Sequence, residues 1–300
     1  MAGRISTPQI FDRTHAHVAN AREKEVISSE KAATGKELVR PSQDPAGYMI
    51  SNALKDDLST LNTTTKNAAA AMKVLDMTES VFSNLQDTMQ RAYELAVAAA
   101  GEGVSSDATR KFTASEVETL FDSSIQLLNT RYGSRSLLAG FKSDQPAFDK
   151  TGKFLGDAGQ IEIEIARGLR VPVNISADRA VLGNGIVGGI NLLEPLKTFV
   201  MGLRQNDTKL IQASLEGFGR VNDQISLVRG EIGARTSQIE RSLNSQEQIK
   251  IDSISAVSEI EDADAVKVFS ELSRDQTVLN AAISTSQKIL SENPTDIFYK

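Results

Sequence analysis

Few residues in this chain combine the types and the spacing that chemistry requires. The chain has no Cys, and its two histidines, His15 and His17, lie two positions apart. Because residues at i and i+2 do not face one another on a helix, this spacing does not favour a two-histidine metal site. Without Cys and with two histidines, the usual nucleophile–base pairs lack members. The sequence therefore predicts a protein that is not an enzyme and that uses no metal and no cofactor.

A glycine-rich turn is the nearest match to a nucleotide-binding motif. Residues 183–188 read Gly-Asn-Gly-Ile-Val-Gly and fit the GxGxxG pattern. That pattern binds a dinucleotide only inside a βαβ unit with parallel strands. Here the segments upstream alternate like hairpin strands, and no crossover strand follows within reach. The pattern therefore favours a flexible return from a β segment to a helix, with an enzyme that binds a nucleotide at this turn as an alternative.

Carboxylates cluster near the C-terminus, at Glu259, Glu261, Asp262 and Asp264. An EF-hand calcium loop needs a central Gly and a terminal Glu at fixed spacing, and neither is present here. Acidic residues at the start of a helix interact favourably with its dipole, so the cluster predicts the beginning of the last helix. The glycosylation-type triplet at residues 62–64 falls inside a predicted helix and is interpreted as a chance match.

Composition narrows the class of partner. The 300 residues carry a net charge of −6, which argues against nucleic-acid binding and against attraction to an acidic membrane. No apolar run reaches the roughly 18 residues that a membrane-spanning helix needs. Aromatic residues make up 5% and Trp is absent, so Ala, Leu, Val and Ile must provide the burial. The N-terminal segment has no apolar core of the kind found in cleaved signal peptides, and export by a signal-independent route stays open.

Apolar residues repeat every seven positions in two long segments, which indicates long helices that pack lengthwise. A helix of about 50 residues would be roughly 75 Å long. The first segment ends at Gly101 and is followed by another predicted helix over residues 106–131. Shorter polar helices are predicted at the two ends, over residues 8–34 and from the acidic cluster onward, and a loop over residues 35–47 follows the first. The heptad positions are Leu54, Leu61, Ala68, Leu75, Phe82, Met89 and Ala96, then Ile211, Phe218, Ile225, Ile232 and Ile239.

Residues 133–189 differ in character and predict a small β-rich insertion. Residues 161–165 alternate strictly between apolar and charged side chains, as a half-buried strand does, and residues 171–175 alternate as well. The five residues between these segments predict a hairpin turn. Residues 148–154 predict a second hairpin.

These elements together predict a mainly α fold. Long antiparallel heptad helices lead outward and back, the β-rich insertion lies at the tip, and the N- and C-termini lie together. Three parts are expected: residues 1–46 with 262–300 as a terminal coiled-coil layer, residues 47–132 with 190–261 as a helical rod, and residues 133–189 as an outer domain. The terminal helices carry too few apolar residues to offset the entropy of ordering, so we expect them to be disordered in the monomer. Heptads alone would also fit any helical bundle.

Several segments resemble the bacterial flagellin superfamily, in particular its hook–filament junction type. The Arg4-Ile5-Ser6-Thr7 start, the loop at residues 35–47, the helical stretch at residues 85–99 and the Ile260-Glu261-Asp262-Ala263-Asp264 signature occur in the order typical of that family. Residues 133–148 are similar to the junction type's entry into its β domain. Residues 46–51 are closer to the filament flagellin version, so a filament flagellin remains the main alternative, and a cytosolic coiled-coil scaffold is another.

The resemblance implies a mechanism. A junction subunit would be exported unfolded through the flagellar type III channel without a cleaved signal peptide, and it would assemble outside the cell. It would form a homo-oligomeric ring between the first hook–filament junction protein and the flagellin filament subunits, after handling by a flagellar export chaperone, with no nucleic acid and no membrane among its partners. The assembly interface is expected on the apolar residues of the terminal helices: Ile10, Phe11, Val18, Phe269, Leu272, Leu279, Ile283 and Leu290.

Overall fold

A computed structural model describes residues 7–101 and 107–291, with side-chain surroundings for 12–101 and 108–289. The helices within these ranges are α1 (Thr7–Thr34), α2 (Pro45–Ala100), α3 (Asp107–Leu128), α4 (Ala177–Ala180), α5 (Glu194–Gln205), α6 (Thr208–Glu261) and α7 (Ala265–Ser291). The strands are β1 (Arg131–Tyr132), β2 (Arg135–Ser136), β3 (Glu162–Ala166) and β4 (Leu169–Pro172). The prediction of a mainly α fold with a small β insertion is confirmed. No described helix is long and apolar enough to cross a membrane.

The chain divides into two compact units. The end unit contains the described residues up to Ser59 and from Ile249 onward, and the central unit contains residues 60–248. The predicted division into three parts, with the insertion as a separate domain, stays a prediction.

In the central unit, α2 and α6 run antiparallel. Their polar contacts pair rising residue numbers on α2 with falling numbers on α6: Thr64 bonds Gln246 at 2.6 Å, Arg229 bonds Glu79 at 2.7 Å, and Gln86 bonds Asn222 at 2.8 Å. The predicted heptad residues are buried in the core of the central unit from Ala68 onward on α2 and from Ile211 to Ile239 on α6. Leu54 and Leu61, at the start of the first heptad line, are half-buried. The heptad prediction of two long antiparallel helices is thus confirmed.

The predicted hairpin is present in the central unit. β3 and β4 pair antiparallel, with Ile163 opposite Val171, and Gly168 supplies a left-handed residue (φ 76°) in the turn. β4 ends at Pro172, earlier than predicted, and the backbone continues as buried chain through residue 175. The second predicted hairpin is a turn closed by one bridge between Phe148 and Phe154, whose ring centroids lie 5.4 Å apart.

In the end unit, α1 packs against α7, so the described helices nearest the two chain ends lie together as predicted. Gly35 ends α1 in a left-handed conformation (φ 68°), and Ala263 N donates to its carbonyl at 2.9 Å. The predicted loop is shorter than expected, because α2 begins at Pro45. Asp44 caps that helix through bonds from Ala46 N and Gly47 N. α6 runs unbroken to Glu261, although its apolar pattern loosens over residues 253–258.

Candidate assembly surface

The end unit has a very small apolar core. Its buried apolar residues, among those described, are Ala21, Leu38 and Val268, whereas the large contiguous cluster belongs to the central unit. Its buried polar residues are at least as numerous: Ser28, Ser51, Glu261 and Asp275. Because burial of apolar area is the main favourable contribution to folding, this unit gains little stability from its own contacts.

Exposed apolar side chains surround the last helix. Val266 is 81% exposed and Phe269 is 59% exposed, and Val278, Ile283 and Ile289 are also exposed. At 3.6 residues per turn these five positions fall on several sides of α7. A helix with apolar residues on most of its sides is normally buried on most of its sides. α1 packs against α7, and these apolar side chains of α7 remain exposed in the single chain.

The predicted interface residues divide into three groups. Phe269 and Ile283 are exposed, and Val18, Leu272 and Leu279 are half-buried. The side chains of Ile10, Phe11 and Leu290 lie outside the described residues. Their role in assembly stays a prediction.

Sequence reasoning missed a buried polar contact between α1 and α7. The Ser28 hydroxyl donates to Asp275 Oδ2, and both residues are more than nine-tenths buried. A buried polar pair in a helix interface favours one register, because other registers leave its members unpaired. Ser28 and Asp275 are polar residues in helices that are rich in polar residues, and they lie far apart in the chain. Nothing in the local sequence therefore indicates that they contact each other.

The residues of the acidic cluster have two structural roles, one at the start of α7 and one at the end of α6. Asp264 accepts from Val266 N at 2.9 Å and Lys267 N at 3.2 Å, which matches the predicted helix start. Glu261 corrects that prediction, because it is the last residue of α6 and not part of α7. It is buried and accepts bonds from Lys36 Nζ at 2.7 Å, Lys55 Nζ and the Ser51 hydroxyl.

These contacts determine the charge of Glu261. Burial alone raises the pKa of a carboxyl group, but the hydrogen bonds from Lys36, Lys55 and Ser51 outweigh burial and lower the pKa of Glu261 to about 2. The pKa of Lys36 is raised, mainly by its hydrogen bond to Glu261. Since Glu37 N also donates to the Glu261 carbonyl at 2.8 Å, this residue links the loop after α1, the start of α2 and the end of α6.

The other candidates from the sequence are the glycine-rich turn at residues 183–188 and the two histidines. Residues 183–188 form a turn after α4 with glycines at φ 76°, 78° and 72°, and the described sheets are antiparallel pairs. His15 and His17 are exposed on α1. No group of three or more His, Asp or Glu within the described residues could hold a metal ion.

The sequence is similar to proteins of the bacterial flagellum. The family model of the bacterial flagellin N-terminal helical region matches residues 5–143. The chain is similar to flagellar hook-associated protein 3 of Escherichia coli K12, with 23% identity over 93% of this chain and 94% of that protein. It is also similar to the flagellin of Listeria monocytogenes, with 24% identity over 94% and 93% of the two chains.

A solved structure shares the fold. The flagellar junction protein FlgL from Legionella pneumophila superposes with a TM-score of 0.58 at 14% identity, over 71% of this chain and all of the other. At this identity the likeness concerns the fold and not the function.

Proposed function

We propose that this chain is a member of the bacterial flagellin superfamily and a structural subunit of the bacterial flagellum that forms the junction between hook and filament. The observation that carries the proposal is the end-to-end match with hook-associated protein 3, which spans 94% of that protein. The mainly α fold with its short β insertion supports it.

Filament flagellin is the competing function, because a flagellin of similar length matches about as well. Two features favour the junction. Residues 133–148 resemble the junction type's entry into its β domain, and the insertion that follows is short, with β3 and β4 as its main hairpin. Residues 46–51 resemble the flagellin version instead.

Deletion of the gene separates the two functions. Loss of a junction subunit leaves hooks without filaments, and flagellin leaks into the medium because nothing anchors it. Electron microscopy of the deletion strain and a protein gel of its medium measure both effects, with plasmid complementation as the control. Hooks without filaments and no flagellin in the medium would instead identify this chain as the filament subunit.

The proposed mechanism is coupling between neighbouring subunits through the end unit. The small apolar core of the end unit and the exposed apolar residues of α7 support it. Neighbouring subunits packed around α7 would bury this apolar surface and so stabilise the helix. The proposed contacts are copies of this chain within a ring, the first junction protein on the hook side and flagellin on the filament side. Head-to-tail contacts of this kind close a ring if the rotation between copies allows it.

The chain is a component of the extracellular flagellum. We propose that it reaches this position unfolded, through the flagellar type III channel and with an export chaperone bound to its terminal helices. The small apolar core of the end unit supports this route, since such a segment unfolds at little cost. Co-purification of the chaperone with the full chain, and its loss when α7 is deleted, would test the proposal.

We further propose that the chain has no enzymatic activity. The turn at residues 183–188 leads from α4 toward α5 and is held by bonds from Asn184 to Asp178 and from Arg220 to the Gly188 carbonyl. Its backbone therefore serves the local fold. Equilibrium binding of NAD and ATP to the purified protein tests this, and saturable binding that Gly185→Val abolishes would contradict it.

A further inference from the structure

The first turns of α2 carry exposed apolar side chains within the end unit. Met49 is 72% exposed and Ile50 is 55% exposed. Ser51 lies on the far side of the helix from Met49, is buried, and donates to Glu261, so these turns are anchored to the end of α6. The contacts proposed so far for assembly use α7 and leave this exposed face of α2 without a role.

The same face of α2 continues from apolar to charged side chains. Met49, Ala53 and Asp57 follow one another at four-residue spacing, and all three are exposed. Residues four apart lie above one another on a helix, so these three form a row along one side, which we call the α2 row. The α2 row thus consists of an apolar, a small and an acidic side chain, in that order.

α7 presents the same arrangement with the opposite charge. Val266, Ser270 and Arg274 are exposed at four-residue spacing, and we call them the α7 row. The Arg274 side chain is 70% exposed and its contact with Asp275 is long, at 3.4 Å, so its guanidinium can still bind a carboxylate. Phe269, which is 59% exposed, adds apolar surface beside this row.

The two rows are complementary in one direction only. With the two helices parallel, the apolar residues lie opposite each other, the small residues do too, and Asp57 lies opposite Arg274, over a length of about 12 Å. Small side chains at the centre of a contact allow the helix axes to approach closely. The antiparallel arrangement would place each charged side chain against an apolar one and leave its charge without compensation.

We propose that the α2 row is the docking site for α7 of a second copy of this chain. This inference rests on the proposed function and names the surface that receives α7. A head-to-tail assembly needs two different surfaces on each subunit, one for each neighbour, and the two rows provide them. The apolar side chains at the start of α7 pack against Met49 and Ile50 of the next copy. The Arg274 guanidinium donates hydrogen bonds to the Asp57 carboxylate.

Disulfide cross-linking between copies tests the contact, because the native chain contains no Cys. Copies with Ala53→Cys and copies with Ser270→Cys are produced together in the deletion strain, and the isolated flagella are oxidised and analysed on a non-reducing gel. We expect a disulfide-linked dimer of this chain only when both variants are present, since the two positions face each other at the centre of the contact. Asn52→Cys, exposed but about 100° further around α2, replaces Ala53→Cys as the matched control and should give several-fold less dimer.

Charge reversal tests the polar end of the contact. Single surface ion pairs contribute little, but every contact in a ring would lose the same pair, so Asp57→Arg and Arg274→Asp should each reduce the number of filaments per cell. A chain with both substitutions should restore filaments, because each contact regains a pair of opposite charges. If Asp57 acted only within its own subunit, Arg274→Asp would not rescue Asp57→Arg, and that result would contradict the inference.

The outcomes separate this inference from the proposed function. If both Cys variants restore filaments but no dimer forms, or if Asn52→Cys gives as much dimer as Ala53→Cys, the docking site is wrong and the proposed function stands. If Asp57→Arg abolishes filaments and no dimer forms, another flagellar protein covers this face, and the inference is also wrong. Absence of the chain from isolated flagella would overturn both proposals.

Discussion

At the residue scale, Glu261 connects three segments of the end unit. It brings together Lys36 from the loop after α1, and Ser51 and Lys55 from α2. Its main chain also bonds Glu37 N. A buried carboxylate with two cations is costly to disrupt, because removal of one partner leaves charge without compensation. We call the place where Lys36, Ser51 and Lys55 meet Glu261 the corner of the end unit. The stability of this corner should therefore depend on the charge of Glu261.

The pH dependence follows from the pKa of Glu261, which lies at about 2 in the folded chain against an ordinary value of 4.5. A lowered carboxyl pKa contributes stability that is fully present above the ordinary pKa and is lost as pH falls from about 4.5 toward 2. The shift corresponds to at most about 3 kcal/mol, and exposure of both lysines reduces the expected effect to about 1–2 kcal/mol. Native-state hydrogen exchange at the Glu37 and Ala263 amides measures it.

Substitution separates this effect from general acid sensitivity. Glu261→Gln should lower protection of the same two amides about tenfold at neutral pH and flatten its dependence on pH below 4.5. Glu259→Gln, at an exposed position two residues earlier, should change neither. Equal effects of the two substitutions would mean that net acidity, and not the Glu261 contacts, stabilises the corner.

Sequence reasoning identified the acidic cluster but not these partners. The cluster is visible because its carboxylates are adjacent in the chain, and a helix start explains Asp264 correctly. Lys36 and Lys55 lie more than 200 positions away, and both are ordinary surface residue types. Which carboxylate they would meet depends on where α6 ends, and the apolar pattern weakens before that point. The Ser28–Asp275 pair escapes prediction for the same reason.

At the element scale, Gln246 connects the long helices to the β insertion. It accepts from the Thr64 hydroxyl at 2.6 Å and donates to the Ile165 carbonyl at 2.7 Å, in a buried position. Thus one side chain of α6 fixes both the facing turn of α2 and the end of β3. The heptad pattern predicted the two helices, but it assigns no role to a polar residue between apolar positions.

Loss of this contact should destabilise the central unit. Gln246→Leu keeps the volume and removes the donor to the buried Ile165 carbonyl, whereas the Thr64 hydroxyl keeps its bonds to the Thr60 and Leu61 carbonyls. The free energy of unfolding should therefore fall by about 1–3 kcal/mol. Urea unfolding followed by circular dichroism measures the change. Asn244→Leu, at an exposed position on the same helix, is the control and should cost less than about 0.5 kcal/mol. A cost for Gln246→Leu no larger than the control would show that water replaces the bonds.

The elements that sequence predicted best are those with long-range regularity. α2 carries an apolar repeat from Leu54 to Ala96 and α6 carries one from Ile211 to Ile239, and the β3–β4 hairpin carries strict alternation with a Gly at the turn. The break between α5 and α6 depends on one left-handed residue, Asn206 (φ 58°), and was not predicted.

At the scale of the whole molecule, the two units differ in how much apolar surface they bury. The central unit contains the continuous cluster from Ala68 to Ile239, whereas the buried apolar residues described in the end unit are Ala21, Leu38 and Val268. Local stability follows such differences, since regions with few buried contacts open at low cost. The helices α1 and α7 of the end unit should accordingly depend on neighbouring subunits for their order.

Hydrogen exchange on the purified monomer should show this contrast. Amides in residues 9–34 and 264–290 should exchange within the dead time of the measurement, and amides of α2 and α6 between residues 68–96 and 211–239 should be protected by several kcal/mol, as in a stable core. In assembled flagella both sets should be protected. Strong protection of the end helices in the monomer would contradict the prediction that they become ordered on assembly.

Assembly through α7 should depend on its exposed apolar side chains rather than on apolar exposure in general. Phe269 is 59% exposed on α7, and Phe112 is 79% exposed on α3 in the central unit. Burial of a Phe side chain contributes about 1.5–3 kcal/mol, and every copy in a ring would lose that amount. Phe269→Ala should therefore leave hooks without filaments when it replaces the native gene, whereas Phe112→Ala should support normal filaments. Because both side chains are exposed in the isolated chain, urea unfolding of either variant should match the native protein. If both variants assemble normally, the contacts between subunits lie elsewhere than on this part of α7.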